Sequence, residues 1–224
     1  MKTVACLLFL TATADADPVD APATPATYSL DVGSHLRRFG DTSAAIVATD
    51  QLAGVRLTLG RSVTQAKVAK RDVDVGVFAR YVYAGVGGTM FGDLETSLSQ
   101  HLLGAGGRVD LPVKRWLALV AQAELGMART SLRVTQDEMT PAADAHWAPY
   151  AAASIGGELR LTRGKRLDIS LGLDFGYLVT VAVEPRALPG DRPEEELSIA
   201  TTFAGVGGLD TRGFTSSMSL RGRF

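Results

Sequence analysis

The sequence predicts an all-β fold, an eight-stranded antiparallel up-and-down transmembrane β-barrel. Three observations support this prediction. In one segment after another, apolar and polar residues alternate with a period of two, which gives a strand one apolar and one polar face. The clearest segments keep this alternation over roughly the 9–11 residues that a tilted membrane-spanning strand needs. The number of segments is even, as single-chain barrels of the outer-membrane type require.

Composition excludes some other classes of protein. The chain has 224 residues, enough for one domain, and a formal net charge of −1. That charge argues against a basic nucleic-acid-binding protein, so we expect no nucleic-acid partner. No run approaches the roughly 18 consecutive apolar residues of a transmembrane helix. A membrane assignment must therefore rest on the alternation.

The chain is predicted to have three parts. Residues 1–16 have the pattern of a secretory signal peptide, with a positive Lys2, a short apolar stretch and small residues in A-x-A order. Residues 17–26 are rich in Pro, Ala and Asp and predict a flexible periplasmic leader. Residues 27–224 would form the barrel. The single cysteine, Cys6, lies in the signal segment, so cleavage would leave no thiol chemistry.

Eight strands are expected after the leader. The seventh is the clearest, because apolar residues at odd positions oppose Asp168 and Asp174 at even positions. Connections after the first, third, fifth and seventh strands are predicted to be long, those after the fourth and sixth tight, and the one after the second of middling length. The predicted strands are Thr27–Phe39, Ala53–Val63, Asp72–Gly85, Ser99–Val113, Trp116–Val134, His146–Thr162, Arg166–Val183 and Gly213–Phe224.

The final strand carries the most specific pattern. Phe214, Met218, Leu220 and Phe224 are apolar and alternate with polar residues. A strand of this kind that finishes on Phe resembles the C-terminal signal of bacterial outer-membrane β-barrels. With its eight strands and leader, the chain resembles the small outer-membrane barrels of the OmpA/OmpX type. The resemblance implies a structural or surface-interaction protein of the bacterial outer membrane that catalyses no reaction, with a final strand recognised by the barrel-assembly machinery.

The polar face is predicted to line the barrel interior. Eight strands leave an interior just wide enough for side chains, and charges confined there should pair and hydrogen-bond. Both charge signs occur on this face, so we expect a salt-bridged lumen, with a narrow pore as the alternative. The predicted lumen cluster is Asp31, Arg37, Arg56, Asp74, Arg80, Arg108, Asp110, Glu124, Glu158, Arg160, Asp168, Asp174 and Arg221.

The apolar face is predicted to contact lipid, with aromatic residues at the membrane interface, where a ring with a polar tip suits the headgroup level. The long loops are acidic and would share divalent cations with lipopolysaccharide. The expected partners are therefore outer-membrane lipid and lipopolysaccharide, around a monomer. The predicted interface aromatics are Tyr28, Tyr81, Tyr83, Trp147, Tyr177, Phe214 and Phe224.

Two other classes stay open from the sequence. A soluble, secreted lipocalin-like barrel would bind an apolar ligand inside and would turn the apolar face inward. A lipid-modifying barrel enzyme would need a Ser, His and acid on its membrane face, and only Ser99 and His101 are close in sequence. The three histidines match no metal motif. We therefore predict no catalytic residue, metal site or cofactor.

Overall fold

The computed structural model describes residues 27–39, 50–68, 71–90, 94–136, 142–163, 167–181 and 211–224. These segments are almost wholly β-strand, and none of them contains a helix. No helix in this part of the chain is long and apolar enough to cross a membrane. The predicted signal peptide, the leader and most of the acidic loop residues lie outside the described ranges. The strands are β1 (Tyr28–Phe39), β2 (Gln51–Val68), β3 (Arg71–Met90), β4 (Leu94–Lys114), β5 (Leu117–Gln136), β6 (Ala142–Arg163), β7 (Asp168–Thr180) and β8 (Gly213–Arg223).

The eight strands form one closed ring. Each strand is antiparallel to the next, and β1 pairs with β8 from Ser29↔Arg223 to Phe39↔Gly213. Closure satisfies the backbone groups along the barrel, which is the condition for a sheet to span a bilayer. The predicted fold class, an eight-stranded antiparallel up-and-down barrel, is confirmed. We call the end of the barrel that carries Ser29 and Arg223 the terminal end, and the opposite end the loop end.

The predicted long connections after β3 and β5 are wrong. Residues 91–93 separate β3 from β4, and residues 137–141 separate β5 from β6. Gly87 and Gly88, interpreted as loop residues, are paired with β4 within the ladder. Cross-strand hydrogen bonds hold extended backbone there, although glycine is intrinsically disfavoured in strands. The predicted loop at 87–98 is therefore mostly strand, as is much of the one at 136–145.

The remaining boundaries also differ from prediction. β2 begins at Gln51 and ends at Val68, so only residues 69 and 70 separate it from β3, not a connection of middling length. β7 begins at Asp168 and ends at Thr180, shorter at both ends than predicted. Strand ends are the part of a strand that alternation defines least, because loop residues alternate by chance over two or three positions.

Four strands rise beyond the closed part of the barrel at the loop end. The last pair between β2 and β3 is Ala53↔Gly85, and the last pair between β6 and β7 is Tyr150↔Thr180. Val86–Met90 of β3 and Ala142–Pro149 of β6 continue past these pairs along β4 and β5. We call this part the β3–β6 extension. β4 has 21 residues, about 70 Å at the usual rise per residue, well over the roughly 30 Å of the hydrocarbon core.

The apolar faces of the strands point away from the lumen. Leu125 and Ile155 are each 71% exposed, and Leu103 is 61% exposed. Exposed apolar side chains form a continuous belt around the ring, with Val73 a buried exception on the same face of β3. The predicted facing is correct, and the soluble lipocalin-like alternative is wrong, because it needs these side chains inside.

Tyr150 packs tightly against two glycines in the upper lumen. The Tyr150 ring lies over Gly104 and Gly126, on the lumen faces of β4 and β5. A Cβ built at Gly126 would overlap the main-chain oxygen of Leu103. It would also lie 2.6 Å from both the Gly104 Cα and Cε1 of Tyr150, closer than real Cβ contacts. The two glycines therefore make the space that the tyrosine ring fills.

We expect Gly126→Ala to lower the free energy of unfolding in lipid vesicles by about 1–3 kcal/mol, the usual cost of overpacking. The midpoint of urea unfolding measures this loss of stability. Gly107→Ala is the matched control, because a Cβ there meets nothing within 4 Å. That control should change stability by about 0.5 kcal/mol or less. Equal losses in the two variants would show that the close contacts at Gly126, with the β4 backbone and the Tyr150 ring, are not the cause.

Candidate functional site in the barrel lumen

The terminal end of the lumen is organised around one carboxylate. Glu158 of β6 accepts hydrogen bonds from three guanidinium groups: Arg221 at 2.9 Å, Arg223 at 2.9 Å, and Arg108. Ser170 Oγ donates a further bond to Glu158 Oε1 at 2.7 Å. The carboxylate is 2% exposed, so these ionic hydrogen bonds form in a desolvated site where they are strong.

Two aspartates complete this terminal-end network. Asp110 pairs with Arg108 Nε at 2.5 Å and with Arg223 Nη2 at 2.8 Å. Asp31 accepts two bonds from Arg221, one of them from Nε at 2.6 Å. The network therefore holds three carboxylates and three guanidiniums, and its formal charges cancel. Balance of this kind offsets the desolvation that each ion suffers on burial.

The middle of the lumen holds two further ion pairs. Arg56 Nη2 lies 2.9 Å from Asp174 Oδ2, and the same guanidinium donates to Ser217 and Ser219. Arg80 Nη1 lies 2.7 Å from Glu124 Oε2. Arg80 also donates to Thr58 and Gln122, and its guanidinium carbon lies 4.6 Å from the centroid of the Phe78 ring, at cation–π distance.

The structure places the predicted lumen charges on the inner face. Asp74 accepts a hydrogen bond from Ser62, and no ion pair joins Arg160 to another described residue. Arg37 is buried near the loop end, away from both networks. The buried members are Asp31, Arg37, Arg56, Arg80, Asp110, Glu124, Glu158, Asp174 and Arg221. The part-buried members are Asp74, Arg108, Arg160 and Asp168.

By parity, the sequence places Gln122 and Ser170 on the polar inward face, and both are buried in the lumen. Sequence reasoning missed Tyr150 and the apolar part of the lumen, although Tyr150 shares the face of β6 that carries predicted lumen charges. The apolar lumen residues carry no such signal, because the alternation reverses near the loop end of β5, where Arg129 and Arg133 point outward and the inward positions are apolar. They form two buried clusters: Phe39, Leu52, Ala84, Leu98, Leu132 and Val134, and below them Val82, Leu102, Ala128, Tyr150 and Leu178.

A layer of neutral polar side chains lies between these two clusters. Gln100 pairs across the sheet with Thr130, between the Leu98↔Leu132 and Leu102↔Ala128 pairs. Its Nε2 donates to Thr130 Oγ1 at 2.8 Å.

The space left inside the described lumen is small. A cavity of about 40 Å³ opens among Arg61, Asp74 and Arg223 toward the terminal end. A second cavity, of about 30 Å³, is lined by His35, Arg80 and Leu178. Each has room for one or two waters. The ion networks and the apolar clusters therefore fill the interior, as expected for eight strands.

The predicted interface aromatics lie on the outer face of the barrel. Tyr28 and Phe224 stack at the terminal end with ring centroids 6.4 Å apart. Tyr177 and Phe214 meet edge to face at 5.1 Å toward the loop end. The side chains of all seven predicted interface aromatics are between 40% and 68% exposed: Tyr28, Tyr81, Tyr83, Trp147, Tyr177, Phe214 and Phe224.

His101 lies in a cluster of aromatic rings on the outer face. The Tyr81 hydroxyl and His101 Nδ1 are 2.8 Å apart, and the Tyr83 and His101 ring centroids are 5.0 Å apart. The partner of this imidazole nitrogen is thus a phenol, where a Ser–His–acid site would have a carboxylate. No group of three or more His, Cys, Asp or Glu residues in the described ranges could hold a metal ion.

No family model matches the sequence, and no curated protein matches it. Solved structures do match. The Ail attachment invasion locus protein of Yersinia pestis, solved with the heparin analogue sucrose octasulfate, is 11% identical over 90% of this chain and 100% of that chain, with a TM-score of 0.51. A major outer membrane protein from Thermus thermophilus is 12% identical over 90% of this chain and 100% of that chain, with a TM-score of 0.49. Neisserial surface protein A is 11% identical over 89% of this chain and 98% of that chain, with a TM-score of 0.48.

The structural similarity to Ail, at a TM-score of 0.51, supports the fold alone. The closed ring, the outward apolar belt and the polar lumen define the class: a small eight-stranded β-barrel of the outer-membrane type. The predicted resemblance to this class is confirmed. Such barrels reside in bacterial outer membranes, which is the location that the sequence predicts.

Proposed function

We propose that this protein is a closed, non-conducting outer-membrane barrel that acts at the cell surface through its loop end. The observation that supports this proposal most directly is the filled lumen. Balanced ion networks occupy its terminal half, and apolar clusters close its loop half. A hydrated ion that entered would have to displace paired charges and then cross buried Leu side chains.

A narrow pore, the alternative function, is not supported by the packing of the lumen residues. A pore needs a continuous water path, whereas the lumen cavities measure only about 40 and 30 Å³. Leu52, Leu98 and Leu102 are each at most 1% exposed, so the described lumen has no wet path past them. Apolar constrictions of this kind block ions by excluding water.

We expect purified protein in planar lipid bilayers to show no unitary conductance steps. A double variant, Leu98→Ser with Leu102→Ser, replaces part of the apolar closure with small polar groups and should leak. Leu103→Ser, on the outer face of the same strand, is the matched control and should stay silent. Regular conductance steps from the unmodified protein would contradict a closed lumen.

The β3–β6 extension is the part of the described barrel that we propose meets surface partners. It continues beyond the point at which the ring closes, and so beyond the described ends of the other four strands. Hairpins on a rigid barrel are well placed for binding, since the scaffold fixes their position.

A shortened hairpin tests this role. We propose attachment to host cells as the surface role, by similarity to the Ail attachment invasion locus protein. Replacing residues 88–96 by Asn-Gly should then leave an inserted, protease-resistant barrel whose cells no longer adhere to a host-cell monolayer. Exchanging the connection at the terminal end, residues 115 and 116, for the same dipeptide is the control. If adhesion is unchanged in cells that display the shortened barrel, the extension is not the binding element.

We further propose that outer-membrane lipid and lipopolysaccharide surround the aromatic belt of a monomer, and that the barrel-assembly machinery recognises β8. The exposure of the seven interface aromatics supports the first proposal. The position of β8, which pairs with both β1 and β7 and so completes the ring, supports the second.

A further inference from the structure

The buried guanidinium of Arg37 pairs with no carboxylate among the described residues, and the part-buried Arg160 also lacks one. Arg37 of β1 is 1% exposed, and its Nη1 donates to the main-chain oxygen of Thr211 at 3.2 Å. Its Nε and Nη2 are buried and meet no hydrogen-bond partner. The arginines of the two ion networks each pair with a carboxylate: Arg56, Arg80, Arg108, Arg221 and Arg223. The carboxylates of those networks are all paired with these arginines, so none of them neutralises the charge of Arg37.

The side chains that link to Arg37 through Thr211 are neutral and polar. Thr211 Oγ1 lies 2.7 Å from Thr180 Oγ1 and 3.4 Å from Gln100 Nε2, and Gln100 reaches on to Thr130. Each of these residues is at most 6% exposed. The Tyr150 hydroxyl, in the cluster just below, is likewise buried without a partner. The layer thus supplies hydroxyl and amide donors but no negative charge.

Apolar side chains separate this layer from water in both directions. Phe39 and Leu52 belong to the cluster on the loop side, and Val82 and Leu102 to the cluster on the terminal side. A charge isolated in such a medium is very costly unless it is paired. Arginine cannot avoid the cost by losing its proton, because its guanidinium stays protonated in proteins.

We propose that Arg37 anchors a buried site for a small monovalent inorganic anion, of which chloride is the type. The anion would accept hydrogen bonds from Arg37 Nε and Nη2 and from hydroxyl groups of the layer. A single negative charge would match the single charge of Arg37. The narrow interior of an eight-stranded barrel and the low exposure of the layer favour a monatomic anion over a phosphate or sulfate.

Anion-dependent stability tests this site. Urea unfolding in vesicles is measured from about 1 to about 300 mM NaCl, with sodium gluconate holding the ionic strength constant. An anion that binds only the folded protein lowers the unfolding constant in proportion to its concentration, once that exceeds the dissociation constant. We expect a tenfold rise in chloride to lower the unfolding constant about tenfold in that range. The unfolding constant measured in gluconate alone should be much higher than the one measured in about 300 mM NaCl.

Arg37→Met removes the charge and keeps most of the side-chain volume. This variant should lose the chloride dependence, and in gluconate alone it should be more stable than the unmodified protein, because no unpaired charge remains. Arg38→Met is the matched control. Arg38 is the next residue on β1, is exposed and pairs with Asp50, so its loss should leave the chloride dependence intact.

Bromide provides a test that does not need a variant. Crystals of the unmodified protein grown in NaBr should show an anomalous peak within about 3.5 Å of the Arg37 guanidinium, even if Arg37→Met fails to fold. An unfolding constant independent of chloride, or a dependence that survives in Arg37→Met, would overturn the proposal.

Discussion

Replacing Glu158 with glutamine is expected to lower the free energy of unfolding by about 3–5 kcal/mol, the usual cost of removing one partner from a buried ion pair. Glu158 is the shared acceptor of Arg108, Arg221 and Arg223, all of which would keep their charges. The amide can accept a hydrogen bond but carries no charge, so three guanidiniums would be left with two carboxylates. Urea titration in vesicles measures the loss.

An exposed ion pair provides the control for this variant. Arg38 and Asp50 are 2.8 Å apart, and their side chains are 70% and 46% exposed. Asp50→Asn removes one charge, as Glu158→Gln does, but water screens the remaining partner. The expected loss is about 0–1 kcal/mol. Similar losses in the two variants would mean that the lumen network is hydrated and contributes no more than a surface pair.

The second large effect is expected on the lipid side of the barrel. Ile155 is 71% exposed and lies midway along β6 between Trp147 and Thr162. Arginine there should cost about 2–4 kcal/mol, because a guanidinium at the bilayer midplane loses its hydration. Thr162→Arg, on the same strand near the terminal end, should cost about 0–1 kcal/mol. Folding yield and the urea midpoint in vesicles measure both.

The sequence predicts which face of each strand points outward, because the two faces meet different surroundings, lipid outside and polar side chains inside. Lipid outside the barrel favours apolar side chains, and the paired charges inside favour polar ones. Successive residues therefore alternate between the two, as Leu171 and Ser170 do. Where the lumen is itself apolar, this contrast disappears. Leu102 and Leu103 are adjacent leucines, yet Leu102 is 1% exposed and Leu103 is 61% exposed. Only the strand register decides which of them fills the interior.

The pairing of the lumen charges could not be predicted either. The side chains of Glu158 and Arg221, on β6 and β8, meet although 63 residues separate them in the sequence. Their meeting depends on the stagger and curvature of the closed sheet, which places side chains from non-adjacent strands at one level of the lumen. The sequence could name the charges and require that they pair. It held no information on which partner each would take, or that Arg37 would be left without one.

Ring closure also governs the order in which the chain can fold. Asp31 of β1 and Arg221 of β8 bond to each other across 190 residues of sequence. Bringing such distant segments together costs conformational entropy before their contacts form, and chains dominated by distant pairings fold slowly. Until β8 has been synthesised, β1 keeps one edge of free backbone groups beside an apolar face, a combination that promotes strand aggregation. A ring that is stable once in lipid therefore requires the growing chain to be kept unfolded between the ribosome and the bilayer.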